Sequence, residues 1–495
     1  MVNMFFMACY QVLTIAFGLL LPNLIIHRYG AELHGFTTTA TTIMSYVALI
    51  NAGLAPAAIQ ALYKPLNDGD KHRINEVVNA IGRFYTISGL LYTVAVVVIA
   101  LVLPFILADE LPTYMIIGLM LAIGAGNTLE CFVYSKYKVL LQADQRLYVA
   151  AIVDTVIYLI RIALQLILIF SECSLILVMV VPAVLVLFRM AMLSIYCRRC
   201  YPDLDRKVPP DNSSLSKRWS AMLHQIAGLV VNNTDVLLLS VFENLRQVSI
   251  YSVYGLVFNH ITLLFNNVFS SGTIASFGKA IEEHDEEKLR NAYGTFEFGY
   301  YFVVAFVYGV CASMVLSFVG AYTVGMEGID YVDPLLALLF IIIGIANHMR
   351  MPGLNIINAA GHFKETQWRA IAEAAINLIV SLCLLKPFGM YGLLIGTICS
   401  YCYRTTDIIF YSHRVILKAS PARTILRFAR TVLIVAVSAG LYRLFVNVYS
   451  VDGWLYWILY AVVASMITAI VDLAFNLVTE PGQIMTCIKI ILHKA

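Results

Sequence analysis

The chain has 495 residues, 60% of them apolar and only 13% charged, with a mean hydropathy of +0.81. Soluble globular domains carry about 25% charged residues, so these values exclude a soluble enzyme and indicate a polytopic membrane protein. The net charge of +3 is too small to suggest a nucleic-acid partner, and what carries information is where the Lys and Arg fall along the chain.

The opening run, "MVNMFFMACYQ", lacks a charged leader and is followed by no small-residue cleavage site. Residues 1–26 are therefore expected to form the first span rather than a cleaved signal. Further apolar runs of spanning length fall near 37–62, 84–107, 113–135, 148–170, 174–197, 221–242 and 247–275. Six more follow near 297–320, 334–358, 370–386, 390–412, 431–449 and 453–475. The expectation is an all-α polytopic membrane protein with fourteen transmembrane helices. Ten Cys are scattered through these runs, and the one close pair, Cys197 and Cys200 in "CRRC", has no second pair at zinc-site spacing, so no metal is expected.

The connections sort by charge. Alternate loops such as "YKPLNDGDKHRINEVVNAIGR", "SKYKVLLQADQR" and "HRVILKASPARTILRFAR", with the C-terminus, hold 25 of the 33 Lys and Arg. The opposite loops hold only Arg28, Arg246 and Lys386 and carry acids instead, as in "ADELP", "SECS", "MEGIDYVDP" and "SVDG". The positive-inside rule then places both termini in the cytoplasm of a cell membrane.

An internal repeat organises the spans. Asp70, Arg73 and Ile74 match Asp285, Lys288 and Leu289 at an offset of 215, and Arg146 and Asp154 match Lys364 and Glu373 at offsets of 218 and 219. The expected domains are a six-helix half at 1–197, a cytoplasmic linker at 198–220, a second six-helix half at 221–412, and helices 13 and 14 with the tail at 413–495. Because six is even, the halves are parallel repeats, and in transporters built this way the substrate site lies between them.

Charged residues inside spans are costly, roughly 2.5 to 3.5 kcal/mol each at the centre of a lone inserted helix, and point to a cavity or a partner. In "AAIVDTVIYLIRIALQLILIF", residues 150–170, Asp154 and Arg161 share a face but lie about 10 Å apart along the axis. Direct pairing is a poor answer, and both point toward something polar. Arg161 is the deepest arginine; Arg350 follows, in "IANHMRMPGLNIINAAGHF", where Pro352 and Gly353 are expected to break or kink the helix. Arg404 and Asp407, spaced i, i+3, suit a local ion pair. Asp235 and His260 are candidates for lining a cavity, with a polar helix interface as the competing explanation. Arg28 and Arg246 hold nearly equivalent places after the first and seventh spans. Two guanidinia there suit a phosphorylated ligand, whereas snorkelling is the simpler account. No HExxH, P-loop or GxSxG motif is present, and the longest hydrophilic loop has about twenty-three residues. Carriage across the membrane is the better class.

The fourteen spans, "RYGAELHGF" after the first, "NNTDVLLLSVFENLRQVSIYSVY" across the seventh and eighth, and "INAAGHFKETQWRAIAEAAINLIVS" across the tenth and eleventh resemble the Wzx-like polysaccharide flippases of the MOP superfamily, relatives of lipid II flippases and MATE exporters. The resemblance covers essentially the whole chain. It implies a MATE-like arrangement of two six-helix halves plus two C-terminal helices. It also implies translocation of an undecaprenyl-diphosphate-linked oligosaccharide to the outer leaflet by alternating access, for cell-surface polysaccharide biosynthesis. A polysaccharide polymerase and glycosyltransferases are the implied partners. Arg28 matches the family's basic residue at the end of the first span. Arg161, Arg350, Arg246 and His260 join it as candidate substrate-binding residues on depth and face. Asp235, Asp154 and Glu373 are the candidates for coupling or gating, with no cofactor beyond a coupling proton or sodium ion. The second span has no basic residue and the eighth only His260, where lipid II flippases carry arginines, which counts against lipid II as cargo. The rivals are a MATE-like cation or drug antiporter and a membrane glycosyltransferase or polymerase; deep arginines and short outer loops disfavour them.

Overall fold

The computed structural model describes residues 2–107, 110–132, 134–205, 207–211, 218–269, 271–326, 329–446 and 453–494. Among them every regular element is a helix. In chain order these are α1 (Val2–Tyr29), α2 (Ala31–Val47), α3 (Leu54–Asp68), α4 (Lys71–Ile106), α5 (Thr113–Phe132), α6 (Tyr134–Ala143), α7 (Leu147–Phe170), α8 (Leu175–Cys200) and α9 (Arg218–Phe242). They continue as α10 (Leu245–Phe269), α11 (Ser271–Glu282), α12 (Glu286–Tyr322), α13 (Pro334–Met349), α14 (Met351–Ala359), α15 (Phe363–Phe388), α16 (Met390–Tyr411), α17 (Ala422–Phe445), α18 (Trp454–Thr479) and α19 (Pro481–Lys494). Eleven stretches are long and apolar enough to cross a membrane, and the remaining three expected spans fall on α1, α9 and α16. Parts of three expected acidic loops, 108–109, 327–328 and 447–452, and residues 206 and 212–217 of the expected linker lie outside the described residues.

The element lengths carry the repeat. The helix α4 has 36 residues and begins at Lys71, and α12 has 37 and begins at Glu286. Both are N-capped by the aspartates that match in sequence. The Asp70 carboxylate accepts the Arg73 N–H at 3.0 Å and the Asp285 carboxylate accepts the Lys288 N–H at 2.9 Å, each cap contributing about 1 kcal/mol. Both helices run well past the apolar run that marks the span. In the same way the second span is a bent pair, α2 and α3, joined by a 3₁₀ turn at Ala48–Asn51 and by Gly53 at φ 73°, a left-handed position that glycine fills without strain.

Packing divides the chain within α10, into Met1–Ser252 and Val253–Ala495, whereas the sequence repeat is expected to divide it at the linker. In the first unit α9 lies on α2 and α3. The start of α10 meets α2 so closely that a Cβ on Gly35 would sit 1.9 Å from the Leu245 carbonyl oxygen. His34 and Ser249 hydrogen-bond beside it at 2.9 Å, and Tyr46 bonds Thr234 of α9 at 2.8 Å. The described part of the linker is folded onto α4. Asn75 donates to the Asp203 carbonyl and accepts the Asp205 N–H, and Asn79 donates to the carbonyls of Asp205 and Val208, all at 2.9 Å. Further along α4, Leu90, Val94, Val97, Leu101 and Phe105 are exposed, an apolar helical stripe that a bilayer covers.

In the second unit α15 and α16 pack through small residues, with Gly392 against Leu384 and Gly396 against Ser381, the close backbone approach typical of membrane helices. The pair α17 and α18 is held to α12 through Arg427, the largest fully buried side chain. Its guanidinium donates to Glu297 at 2.8 Å, to the Gly294 carbonyl at 2.8 Å, and to both oxygens of Glu480 at 2.9 and 2.7 Å. Thr424 and Tyr293 donate to the same Glu297 at 2.7 and 3.0 Å. Burying a guanidinium is tolerable only with its donors satisfied in this way.

Candidate functional site

Each unit builds a polar cluster inside its bundle from three corresponding helices. In the first unit these are α5, α7 and α8. Arg189 of α8 pairs with Glu130 of α5 and reaches Asp154 of α7 at 3.4 Å. Its guanidinium lies 4.2 Å over the Tyr134 ring, whose hydroxyl donates to both Asp154 oxygens at 2.6 and 2.8 Å. Lys138 is 3.8 Å from Asp154. The cluster ties α5, α6, α7 and α8 together at their basic ends.

In the second unit the helices are α13, α15 and α16. The expected break after Arg350 is present, with the α13–α14 interruption at Arg350 itself. That guanidinium pairs with Glu373 and donates to Asn347 at 2.7 Å, 4.3 Å over the Tyr401 ring. Arg404 reaches Glu373 at 3.4 Å and Asp407 at 2.9 Å, and Arg369 also pairs with Asp407. The i, i+3 pair foreseen in the sequence is thus one link of a larger cluster. Three guanidinia share two carboxylates, and Arg350 is already occupied by Glu373.

Arg161 is different. It stands seven residues beyond Asp154 on α7, and the two do not pair. No carboxylate neutralises Arg161 among the described residues. Its guanidinium lies 4.6 Å over the Tyr158 ring and faces a crevice between α1 and α7 lined by Phe17, Leu20, Leu21 and Gln165. The Arg161 Nε and the Gln165 Oε1 are both buried without a hydrogen-bond partner among the described residues. Gln165 gives its amide hydrogen to the Val178 carbonyl at 3.1 Å, which leaves its oxygen turned to no donor. A guanidinium with no carboxylate among the described residues, half-buried beside an unused amide oxygen, is a place where an anion or a hydroxyl is favourable. Gln165 carried no signal in the sequence, since one amide in an apolar run is unremarkable until its partner is known.

The remaining candidates are dispersed. His260, in the second unit, has both ring nitrogens buried with no hydrogen-bond partner among the described residues. Asp235, in the first, is buried and accepts a hydrogen bond from the Tyr251 hydroxyl at 3.0 Å. At the charge-poor ends Arg28 pairs with Glu172 at 2.7 Å and Arg246 with Glu32 at 2.6 Å; all four side chains are open to solvent to some degree, and each arginine has its own acid. The sequence reading missed the Arg427 cluster, because Glu297 and Glu480 lie far along the chain on either side of it.

No family model and no curated protein matches the chain. Solved structures do. The lipid II flippase MurJ in an inward closed conformation matches with a TM-score of 0.68 at 13% identity, over 97% of this chain and 99% of that one. An inward-facing multidrug resistance MATE family transporter of the MOP superfamily matches with a TM-score of 0.64 at 14% identity, over 82% and 95%. A Vibrio cholerae MATE transporter matches with a TM-score of 0.56 at 16% identity, over 83% and 95%. The chain has the fold of these structures. In that fold the Arg161 crevice belongs to the first helix and the helix of the fifth span, and the two ion clusters join the helices of the fourth, fifth and sixth spans in one unit and of the tenth, eleventh and twelfth in the other.

Proposed function

We propose that this protein is a flippase that carries a polyprenyl-diphosphate-linked oligosaccharide from the cytoplasmic to the outer leaflet of the cell membrane by alternating access, with both termini cytoplasmic. The observation that carries the reading is Arg161, a half-buried guanidinium midway along α7 with no carboxylate to neutralise it among the described residues. A diphosphate satisfies it where an organic cation does not. The acids Glu130, Asp154, Glu373 and Asp407 are already paired with Arg or Lys, which removes these four as ligands for a cationic cargo. Each charge-assisted hydrogen bond from Arg161 to a phosphate oxygen is worth about 1.5 to 3 kcal/mol, enough to offset part of the cost of drawing the headgroup from water while the lipid tail stays in the bilayer. Within the second unit Arg350 is the candidate ligand once Glu373 is displaced, which makes Glu373 the proposed gating acid. Asp235 is the candidate coupling acid for a proton or sodium ion. Arg28 and Arg246 meet the headgroup at the outer end, and His260 lines the path.

The coverage of the structural matches supports the same reading. The flippase matches over a larger share of this chain than the multidrug transporters do, and the last helices, α17 to α19, are the kind of extension that a twelve-helix exporter lacks. A polymerase and glycosyltransferases of the same surface polysaccharide are the proposed partners. The test is reconstitution into liposomes with a fluorescent polyprenyl-diphosphate oligosaccharide on one side and an organic cation dye inside. Leaflet exchange of the lipid without efflux of the dye supports the flippase; efflux of the dye without exchange overturns it in favour of an antiporter.

A further inference from the structure

The second unit contains a cavity of ≈ 1240 Å³ at the basic ends of its helices, walled by α10, α11, α12 and α19. It exceeds the roughly 300 to 1,000 Å³ of an ordinary small-molecule site, and neither Arg350, Glu373 nor His260 lines it. Its α12 wall is one helical stripe, Glu287, Asn291, Thr295 and Gly299, each four residues after the last. Among the described residues a Cβ built at Gly299 meets no atom within 4 Å, whereas on the same helix a Cβ at Gly309 would strike Thr468 at 2.5 Å. Gly294 is as open as Gly299 but lies outside the cavity, so the space at Gly299 marks room over the α12 wall that a larger side chain would fill.

The chemistry of the walls narrows what that is. Phe296 meets the buried Phe277 edge to face at 5.6 Å and Phe269 at 6.4 Å, which gives an aromatic floor whose accessible rings are the half-buried Phe269 and Phe296. Above it Thr273, Asn291 and Thr295 offer hydroxyl and amide groups. Glu287 and Asn291 have no hydrogen bond or ion pair among the described residues. The other two charges at the rim are spent, Asp285 on capping α12 and Lys288 on Glu283. The free charge is thus negative, which repels a diphosphate. Flat apolar faces under a rim of amide, hydroxyl and carboxylate groups match a pyranose, whose C–H face is apolar and whose edge is a ring of hydroxyls.

We propose that this cavity binds the sugars of the lipid-linked substrate, as neutral or amino-sugar units, while the diphosphate is held by arginine elsewhere. The proposal rests on the flippase reading and names where the glycan docks. Its test uses the full chain in lipid nanodiscs and saturation-transfer NMR with N,N′-diacetylchitobiose, the corresponding glucosamine disaccharide and inorganic pyrophosphate as probes. The expected result is transfer to at least one disaccharide in the wild type, reduced tenfold or more by Gly299→Leu and severalfold by Asn291→Ala. Glu287→Gln lowers the response to the glucosamine disaccharide more than to the neutral one, and pyrophosphate responds alike in all proteins. Gly299→Ala, which keeps most of the space, retains binding and reports that the helix tolerates substitution. No transfer to either disaccharide in the wild type, transfer unchanged in Gly299→Leu, or displacement of the sugar by a decyl-chain lipid analogue overturns the proposal. Leaflet exchange measured in parallel separates the two readings. Exchange that Gly299→Leu leaves untouched removes the cavity and keeps the flippase; sugar binding in a protein that exchanges no lipid removes the flippase.

Discussion

The two units solve one problem in unequal ways. Each must hold three membrane helices together at their basic ends, and each does so with an acid on the middle helix, Asp154 on α7 and Glu373 on α15. In the first unit Arg189 and Lys138 face Glu130 and Asp154, so charge balances. In the second, Arg350, Arg369 and Arg404 face only Glu373 and Asp407 among the described residues. The acid has a hydroxyl in reserve in the first unit, from Tyr134, and serves two guanidinia in the second. The difference teaches that equivalent positions of a repeat need not have equivalent work: the first cluster is a closed tie, and the second carries a surplus positive charge that an anion can exploit.

Substitutions can break that comparison, and the largest effect belongs to neither cluster. Arg427→Met leaves Glu297 and Glu480 without their main partner in a buried site, an expected loss of about 3 to 5 kcal/mol, seen as a lowered unfolding temperature and poor recovery as a monodisperse species in detergent. Glu373→Gln comes next, at about 3 kcal/mol, because Arg350 and Arg404 then face each other across a neutral amide. Asp154→Asn is expected to cost less, about 1 to 2 kcal/mol, since Arg189 keeps Glu130 and the amide still accepts from Tyr134. Equal losses for these two variants in thermal unfolding contradict the inequality of the units. Arg28→Ala and Arg246→Ala remove exposed pairs and should change stability by no more than about 1 kcal/mol.

A smaller effect is set by pH. Glu480 lies just beyond α18. Partial burial alone raises its pKa, but hydrogen bonds and charge from Arg427, Arg423 and Arg430 outweigh this and hold it at about 2, below the ordinary 4.5. A carboxylate with a lowered pKa in the folded state contributes stability that is present above its ordinary value and is lost as pH falls through the folded value. Unfolding temperatures of the wild type should therefore fall faster than those of Glu480→Gln between pH 5 and pH 2; parallel curves contradict the clamp.

Much of the fold was legible because a bilayer imposes a simple code. Apolar runs of fixed length gave the spans, and the Asp70 and Asp285 matches mark the N-caps of α4 and α12. Pro352 and Gly353 marked the interruption beside Arg350. The helix extents were less legible, since α4 and α12 continue through charged residues once they leave the apolar run, and α9 gave no sign of packing with the first unit. Of the site, sequence showed the charges and their depth but only one pairing, Arg404 with Asp407, because that one is local. Arg189 with Glu130, Arg350 with Glu373 and Arg427 with Glu480 join separate helices, and choosing among many possible partners needs the packing. Arg161 was singled out for its depth. What sets it apart, the lack of an acid among the described residues, emerges only when Arg189, Arg350 and Arg404 are each seen to have one.

The most direct test of the central claim is the rate of leaflet exchange of a polyprenyl-diphosphate oligosaccharide by reconstituted wild type, Arg161→Ala, Arg161→Lys and Arg28→Ala. The predicted result is a tenfold or greater loss in Arg161→Ala, corresponding to about 1.4 kcal/mol or more, partial recovery in Arg161→Lys, a smaller change in Arg28→Ala, and unfolding temperatures close to wild type in all. Exchange by Arg161→Ala at the wild-type rate contradicts it.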